Sequence, residues 1–309
     1  MSEKASGAPS AKARRLRTYA EVTEGDRSNL LGQVVAQRER VSERLATVRH
    51  VVAVVSGKGG VGKSLVSAGL AAALARTGRS IGLLDADLHG PTAARMLGVR
   101  EASLVVRESE VEPKLAPSGV RVMSSDLLLE EGAPLAWREP GHDGFVWRGT
   151  LAAGMLREFL GDVAWGRLDL LLVDMPPGSE RLDTLAELVP GLAGIVVVTI
   201  PSDASYRAVK RAAEAARSRR VPILGVVENM AGYRCSSCRA DGPLFAGDAG
   251  DRLARETGAE LLARIPFDPA VQAGIDAGDT TAAVAALAPA AEALVARLER
   301  SEARAEPRP

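Results

Sequence analysis

The stretch Val51-Val52-Ala53-Val54-Val55-Ser56-Gly57-Lys58-Gly59-Gly60-Val61-Gly62-Lys63-Ser64 decides the fold. Its first five residues are apolar throughout, which predicts a strand covered on both faces. Gly57 to Ser64 then fits G-x-x-x-x-G-K-[ST], and an alanine-rich helical pattern follows over 63–77. A strand, a glycine-rich loop and a helix in that order make a phosphate cradle. Glycines let successive backbone N–H groups converge on phosphate oxygens, and the helix N-terminus adds partial positive charge. Gly57, Lys58, Gly59, Gly60, Val61, Gly62, Lys63 and Ser64 are therefore the expected nucleotide-binding residues. Lys63 is expected to reach the β- and γ-phosphates of ATP, and the Ser64 hydroxyl to ligate Mg²⁺.

Further apolar runs at 81–85, 120–123, 170–174, 195–200 and 223–227 alternate with helical stretches at 150–161, 182–189, 204–219 and 247–257. The alternation predicts an α/β fold, a doubly wound, mostly parallel sheet flanked by helices, of the P-loop NTPase kind. Asp85 and Asp87 close one of these strands and Asp174 another, at the carboxyl edge where ligands of such sheets bind. Asp174 takes the position that holds Mg²⁺ through water, and Asp85 reads as a residue standing behind the ligands.

Of the 309 residues, 46% are hydrophobic and 25% charged, which excludes a disordered or fibrous chain. Lys plus Arg and Asp plus Glu are 39 each, and a net charge of zero argues against broad capture of nucleic acid. The basic cluster Lys12, Arg14, Arg15 and Arg17 marks residues 1–27 as a flexible arm. Residues 28–49 read as a helix with one apolar face free to dock, 50–301 as the ATPase domain and 302–309 as a frayed tail. No apolar stretch follows the basic N-terminal residues, and no run of about 18 apolar residues is found. With Glu3, Glu21, Glu24 and Asp26 counting against a mitochondrial presequence, the expected location is cytoplasmic. The alanine-rich helix over 282–300 carries no aromatic and few basic residues, so it is expected to pack on the domain rather than hold a membrane.

Cys235-Ser236-Ser237-Cys238 holds both cysteines of the chain. A C-x-x-C pair reads as a redox couple or as half of a tetrahedral thiolate site. A two-fold dimer supplies the other half, and four thiolates can hold an iron–sulfur cluster or Zn²⁺. His50, His89 and His142 are scattered and read as surface or turn residues; Met155, Met175 and Met230 read as core or strand-end packing.

The string SGKGGVGKS at 56–64 resembles the deviant phosphate loop of the MinD/ParA/nitrogenase-iron-protein group. That resemblance implies a homodimer in which Lys58 reaches the nucleotide of the facing subunit. It also makes Lys58, Lys63 and Asp87 the catalytic residues, Asp87 orienting the attacking water beside Mg²⁺. The blocks DADLHGPTAARMLGV (85–99), FVWRGTLAAGMLREFLGDVAWGRLDLLLVDMPPG (145–178), VVENMAGYRCSSCRADGPLF (226–245) and IPFDPAVQAGIDAGD (265–279) follow in order. Together they resemble the Mrp/ApbC-type iron–sulfur cluster carrier ATPases over roughly residues 50–280.

This second resemblance implies slow ATP hydrolysis and a [4Fe–4S] cluster bridged by Cys235 and Cys238 of two subunits. It further implies apo iron–sulfur proteins as clients, Asn229 against the nucleotide base, and switches at 87–92 and 176–178. Departures are visible. Ser236 stands where the family has proline, and Thr150 where proline follows Trp147-Arg148-Gly149. Pro176-Pro177-Gly178-Ser179-Glu180-Arg181 lacks the family's next glycine and aspartate, for which Asp183 is the nearest substitute. The rival readings are a MinD/ParA-like switch acting on membrane or DNA, which gives the cysteines no task, and a zinc-stabilised P-loop ATPase with another client. A reductase like nitrogenase iron protein is contradicted by the C-x-x-C spacing.

Overall fold

A computed structural model of the chain describes residues 30–88, 90–99, 104–105, 110–128, 144–178 and 180–305. The expectations for the arm 1–27, for His89, His142 and Ser179, and for the side chains of Trp147, Arg148 and Thr150 lie outside what is described.

Among these residues nine strands form one sheet: β1 (Val48–Ser56), β2 (Ile81–Asp85), β3 (Lys114–Leu115), β4 (Arg121–Ser124), β5 (Leu168–Asp174), β6 (Leu192–Thr199), β7 (Ile223–Arg234), β8 (Asp241–Gly242) and β9 (Leu261–Phe267). The order is β3-β4-β2-β5-β1-β6-β7-β8, with β9 also paired to β7. All pairings are parallel except those of the two-residue strands β3 and β8. The continuous apolar runs follow from burial on both faces. Val52 and Val54 of β1 enter one hydrophobic layer with Leu170 and Leu172 of β5, while Val51, Ala53 and Val55 enter the other with Leu171 and Val173.

The first layer is covered by α2 (Lys63–Ala75) and α9 (Thr281–Ala305). They pack so closely that a Cβ on Gly69 would lie 2.3 Å from Leu287 Cδ1. The second is covered by α4 (Gly144–Gly161), α5 (Glu180–Leu188), α6 (Asp203–Ser218) and α7 (Ala249–Thr257). Helix α1 (Leu30–Leu45) docks here as well: Val41 is buried, and Arg40 and Arg44 reach Asp162 and Glu110 at 3.3 and 3.0 Å. The docking face expected of residues 28–49 is thus taken by the chain's own domain.

Four expectations are corrected. β9 and the helix after it, α8 (Pro269–Ala277), were not foreseen as elements, nor was the four-residue α3 (Ala93–Met96). Residues Thr281–Ala303 of α9 are long and apolar enough to cross a membrane by length and composition, although no such run was expected. Leu287, Leu294 and Leu298 on that helix are nonetheless buried in the first layer. His50 is not a surface residue: it is half-buried on β1, 3.0 Å from Glu302 at the end of α9, and burial lowers its pKa against the pull of that carboxylate. Asp183, the nearest substitute for the missing aspartate, is not among the residues that line the phosphate-loop cleft; it accepts from Arg219 Nε at 2.9 Å.

Candidate functional site

The parallel register brings the acidic strand ends together. Asp85 pairs with Asp174 across β2 and β5, while β1 runs two residues past its Val54–Asp174 pairing to deliver the glycine loop. Gly60 and Gly62 have φ of 77° and 78°, the left-handed region where a side chain is strained. Gly57 has a different reason to be glycine. A Cβ there would lie 2.1 Å from the carbonyl carbon of Ala208 and 2.2 Å from the nitrogen of Val209, so the loop seats directly on the α6 backbone.

The loop opens on a cleft of about 260 Å³ lined by Lys58, Ser64, Asp87 and Thr92 on one side and Asn229, Met230, Phe267 and Asp268 on the other. Seven of the eight expected loop residues, Lys58 to Ser64, line it, while Gly57 sits behind them against α6, and Ser56 Oγ donates to Lys58 O at 3.0 Å. Lys63, 7% exposed, places Nζ 2.6 Å from Asp174 Oδ1, which also accepts from Ser67 Oγ at 2.8 Å. Asp174 is wholly buried, and its Oδ2 has no hydrogen-bond partner. A buried orphan carboxylate oxygen is costly unless it meets a donor or a cation. The acceptor-only oxygens of Asp174 and the Ser64 hydroxyl are a hard donor set that fits Mg²⁺.

Asp85 is also wholly buried, but its oxygens are used up internally. It accepts from the backbone N–H of Asp87, Thr92 and Ala93 at 3.1, 2.9 and 3.0 Å, and so fixes the segment that carries Asp87. Burial, then the nearby Asp174 charge, push its carboxyl up to about 7, against these N–H donors. Asp87 itself is half-buried at the cleft wall. Asn229, 5% exposed, donates from Nδ2 to Val61 O at 2.9 Å and fills the space a Cβ on Gly62 would need. Its amide therefore braces the phosphate loop from beneath as well as lining the cleft.

Cys235 and Cys238 lie in the turn between β7 and β8, the first half-buried and the second exposed. Cys235 N donates to Ala240 O and Arg239 N to Cys235 O, both at 2.9 Å. Backbone N–H donation from Cys238, then from Ser237, lowers the Cys235 thiol pKa, so the turn is shaped to favour a thiolate. No third His, Cys, Asp or Glu completes a metal-binding group among the described residues. Leu244 and Phe245, just beyond the turn, are 40% and 39% exposed.

Several site residues escaped the sequence reading. Ser67 stands one turn after Lys63 as a polar residue in an apolar helix, a readable signal. Met230, expected only to pack, lines the cleft in a left-handed conformation with φ of 54°. Phe267 and Asp268 belong to a quoted block but were given no role.

Residues 47–300 match the family model of ParA, described as NUBPL iron-transfer P-loop NTPase. An iron-sulfur cluster carrier protein of Saccharolobus solfataricus is 42% identical over 80% of this chain and 81% of its own length. The cytosolic Fe-S cluster assembly factor cfd1 of Neurospora crassa is 39% identical, covering 76% of this chain and 79% of that one. Among solved structures, the nucleotide-binding protein of Archaeoglobus fulgidus in complex with ADP, in which cobalt was found, superposes with a TM-score of 0.66. It is 36% identical over 79% of this chain and 92% of that chain.

Proposed function

The chain belongs to the NUBPL iron-transfer P-loop NTPases, and from that premise we propose that it is an ATP-hydrolysing carrier that holds a [4Fe–4S] cluster between two copies of itself and passes it to apoproteins. One observation carries this reading. β7 takes Asn229 into the phosphate loop and, six residues on, ends at a two-thiol turn with no third ligand among the described residues. Two thiolates are half of a Cys₄ set, and a two-fold axis supplies the rest. The cobalt found in the Archaeoglobus relative and the carrier and assembly names of the others support metal as the cargo.

The nucleotide chemistry divides among named residues. Ser64 and the orphan oxygen of Asp174 would hold Mg²⁺, which when bound offsets charge on the β- and γ-phosphates. Lys63, now paired with Asp174, moves its amine to the phosphates, exchanging one anion for a stronger one. Asp87 orients the attacking water, and Lys58 reaches the facing subunit's nucleotide, where charge builds in the transition state. Asp85 touches no reactant; it holds Asp87 in place. A cytoplasmic setting, where thiols stay reduced, suits the cysteines.

The test is anaerobic purification of wild type and a Cys235→Ser/Cys238→Ser double variant, with iron, sulfide, zinc and association state measured. We expect about four irons per two chains and the visible absorption of a cluster in wild type. The variant should lose both and still bind nucleotide. Zinc without visible absorption in wild type would overturn the cluster reading.

A further inference from the structure

We propose that the ion pair between Asp268 and Arg239 is the relay by which the nucleotide cleft acts on the cysteine turn. The inference rests on the reading of the cleft as a nucleotide site. Asp268 sits where the two sites meet. It lines the cleft beside Phe267, is 7% exposed, and caps α8 by accepting from Ala270 N at 2.9 Å through Oδ1. Its other oxygen faces the cysteine turn, 3.2 Å from Arg239 Nη2 and 3.9 Å from Arg234 Nη1. Those arginines are the residues immediately before Cys235 and immediately after Cys238. One buried carboxylate therefore holds both shoulders of the two-thiol turn from the wall of the cleft.

The alternative path runs along β7 itself, and it is interrupted. The β7–β9 register shifts between Asn229 and Tyr233, and Met230 within that gap is left-handed. Such an irregularity leaves the ladder locally unpaired, so β7 and β9 are not continuously bonded between the two sites. Beyond the gap the pairing resumes at Tyr233 and Phe267, whose rings also stack with centroids 6.4 Å apart, and Asp268 follows at once.

Arg239 also stores strain. Its φ of 61° is uncommon for a side-chain-bearing residue, and such conformations persist only where the surroundings over-determine them. Here two contacts do so, the Arg239 N–H to Cys235 O and the guanidinium to Asp268. A nucleotide pressing on the cleft wall shifts the carboxylate, loosens the second contact and lets the turn change shape. Arg239 is thus a positioning residue for the thiols and does not itself touch the cargo.

The experiment uses the full chain, metal-free, as wild type and as Arg239→Gln and Arg239→Lys variants. Arg239 is more than half exposed, so these variants are expected to fold. Mg-ADP and Mg-ATP affinity is measured by calorimetry. Maleimide alkylation rates of Cys235 and Cys238 are followed by mass spectrometry with and without each nucleotide. In wild type, nucleotide should change the alkylation rates about five-fold or more. Arg239→Gln should bind nucleotide with affinity within about two-fold of wild type yet lose that response, and Arg239→Lys should restore most of it.

A glutamine variant that keeps the full response overturns the relay, as does a wild type that binds nucleotide with no change at either thiol. The carrier reading fails separately: a chain that binds nucleotide but no iron leaves the alkylation comparison to decide the relay alone. A chain that binds no nucleotide overturns both.

Discussion

Asp85 and Asp174 end neighbouring strands in register, both wholly buried, and one lysine amine bonds to the second of them. Burial first, and then the neighbouring Asp174 charge, disfavour ionisation of Asp85, whose carboxyl is raised to about 7. Free in the unfolded chain it titrates near 3.8. Between those values the folded state holds a proton that the unfolded state has lost, so stability falls as pH rises. The stabilisation is complete below the unfolded value and gone once pH passes about 7. In metal-free protein, the urea midpoint should therefore decline from pH 5 to pH 7, with this group contributing about 1 kcal/mol per pH unit. Asp85→Asn removes the titration and should flatten that decline. Parallel curves for variant and wild type would show that the slope comes from elsewhere. Sequence placed this aspartate at the right strand end but could not tell which carboxylate the lysine would choose, because that choice depends on the β2–β5 register.

The glycine loop shows how one motif serves two physical ends. Gly57 is demanded by the α6 backbone, whereas a Cβ on Gly59 would meet nothing within 4 Å. Gly57→Ala should therefore cost about 3 kcal/mol, the upper end of an overpacking penalty, since the atoms it would meet are backbone. Gly59→Ala should leave thermal stability nearly unchanged. Calorimetric melting of the two variants without nucleotide checks the contrast, and equal losses would refute it. A motif match cannot separate these glycines, because the difference lies in a helix some 150 residues later. β9 was missed for a related reason. In Leu261–Phe267 the apolar run is broken by Arg264, which the register sets opposite Glu228, to which it donates from Nε at 3.3 Å. A cross-strand ion pair reads in one dimension as a solvated loop. The runs at 51–55, 81–85, 120–123, 170–174, 195–200 and 223–227 are legible as β1, β2, β4, β5, β6 and the first part of β7, whose apolar run stops at Val227, just short of Glu228.

The whole molecule turns on what α9 does with its apolar face. By length and composition this helix suits a membrane, and a MinD/ParA-like switch would use it there. In the folded chain the same face lies on α2, the helix that begins at Lys63 and frames the phosphate loop. Leu287 occupies the space beside Gly69, and Glu302 at the far end is held by Arg49 at 2.6 Å. Releasing α9 would uncover the back of α2 and several leucines, each worth about 1.5–3 kcal/mol when buried. That sum rivals the stability of a domain, so the helix cannot serve both partners. Full-length protein mixed with anionic vesicles and Mg-ATP should stay in the unbound fraction on flotation. A chain ending before Thr281 should lose its cooperative melt rather than merely a membrane contact. ATP-dependent flotation of a protein that keeps its cooperative melt would overturn this assignment. It would mean that α9 leaves the domain at a cost the remaining core can bear, and the switch reading would then displace the carrier.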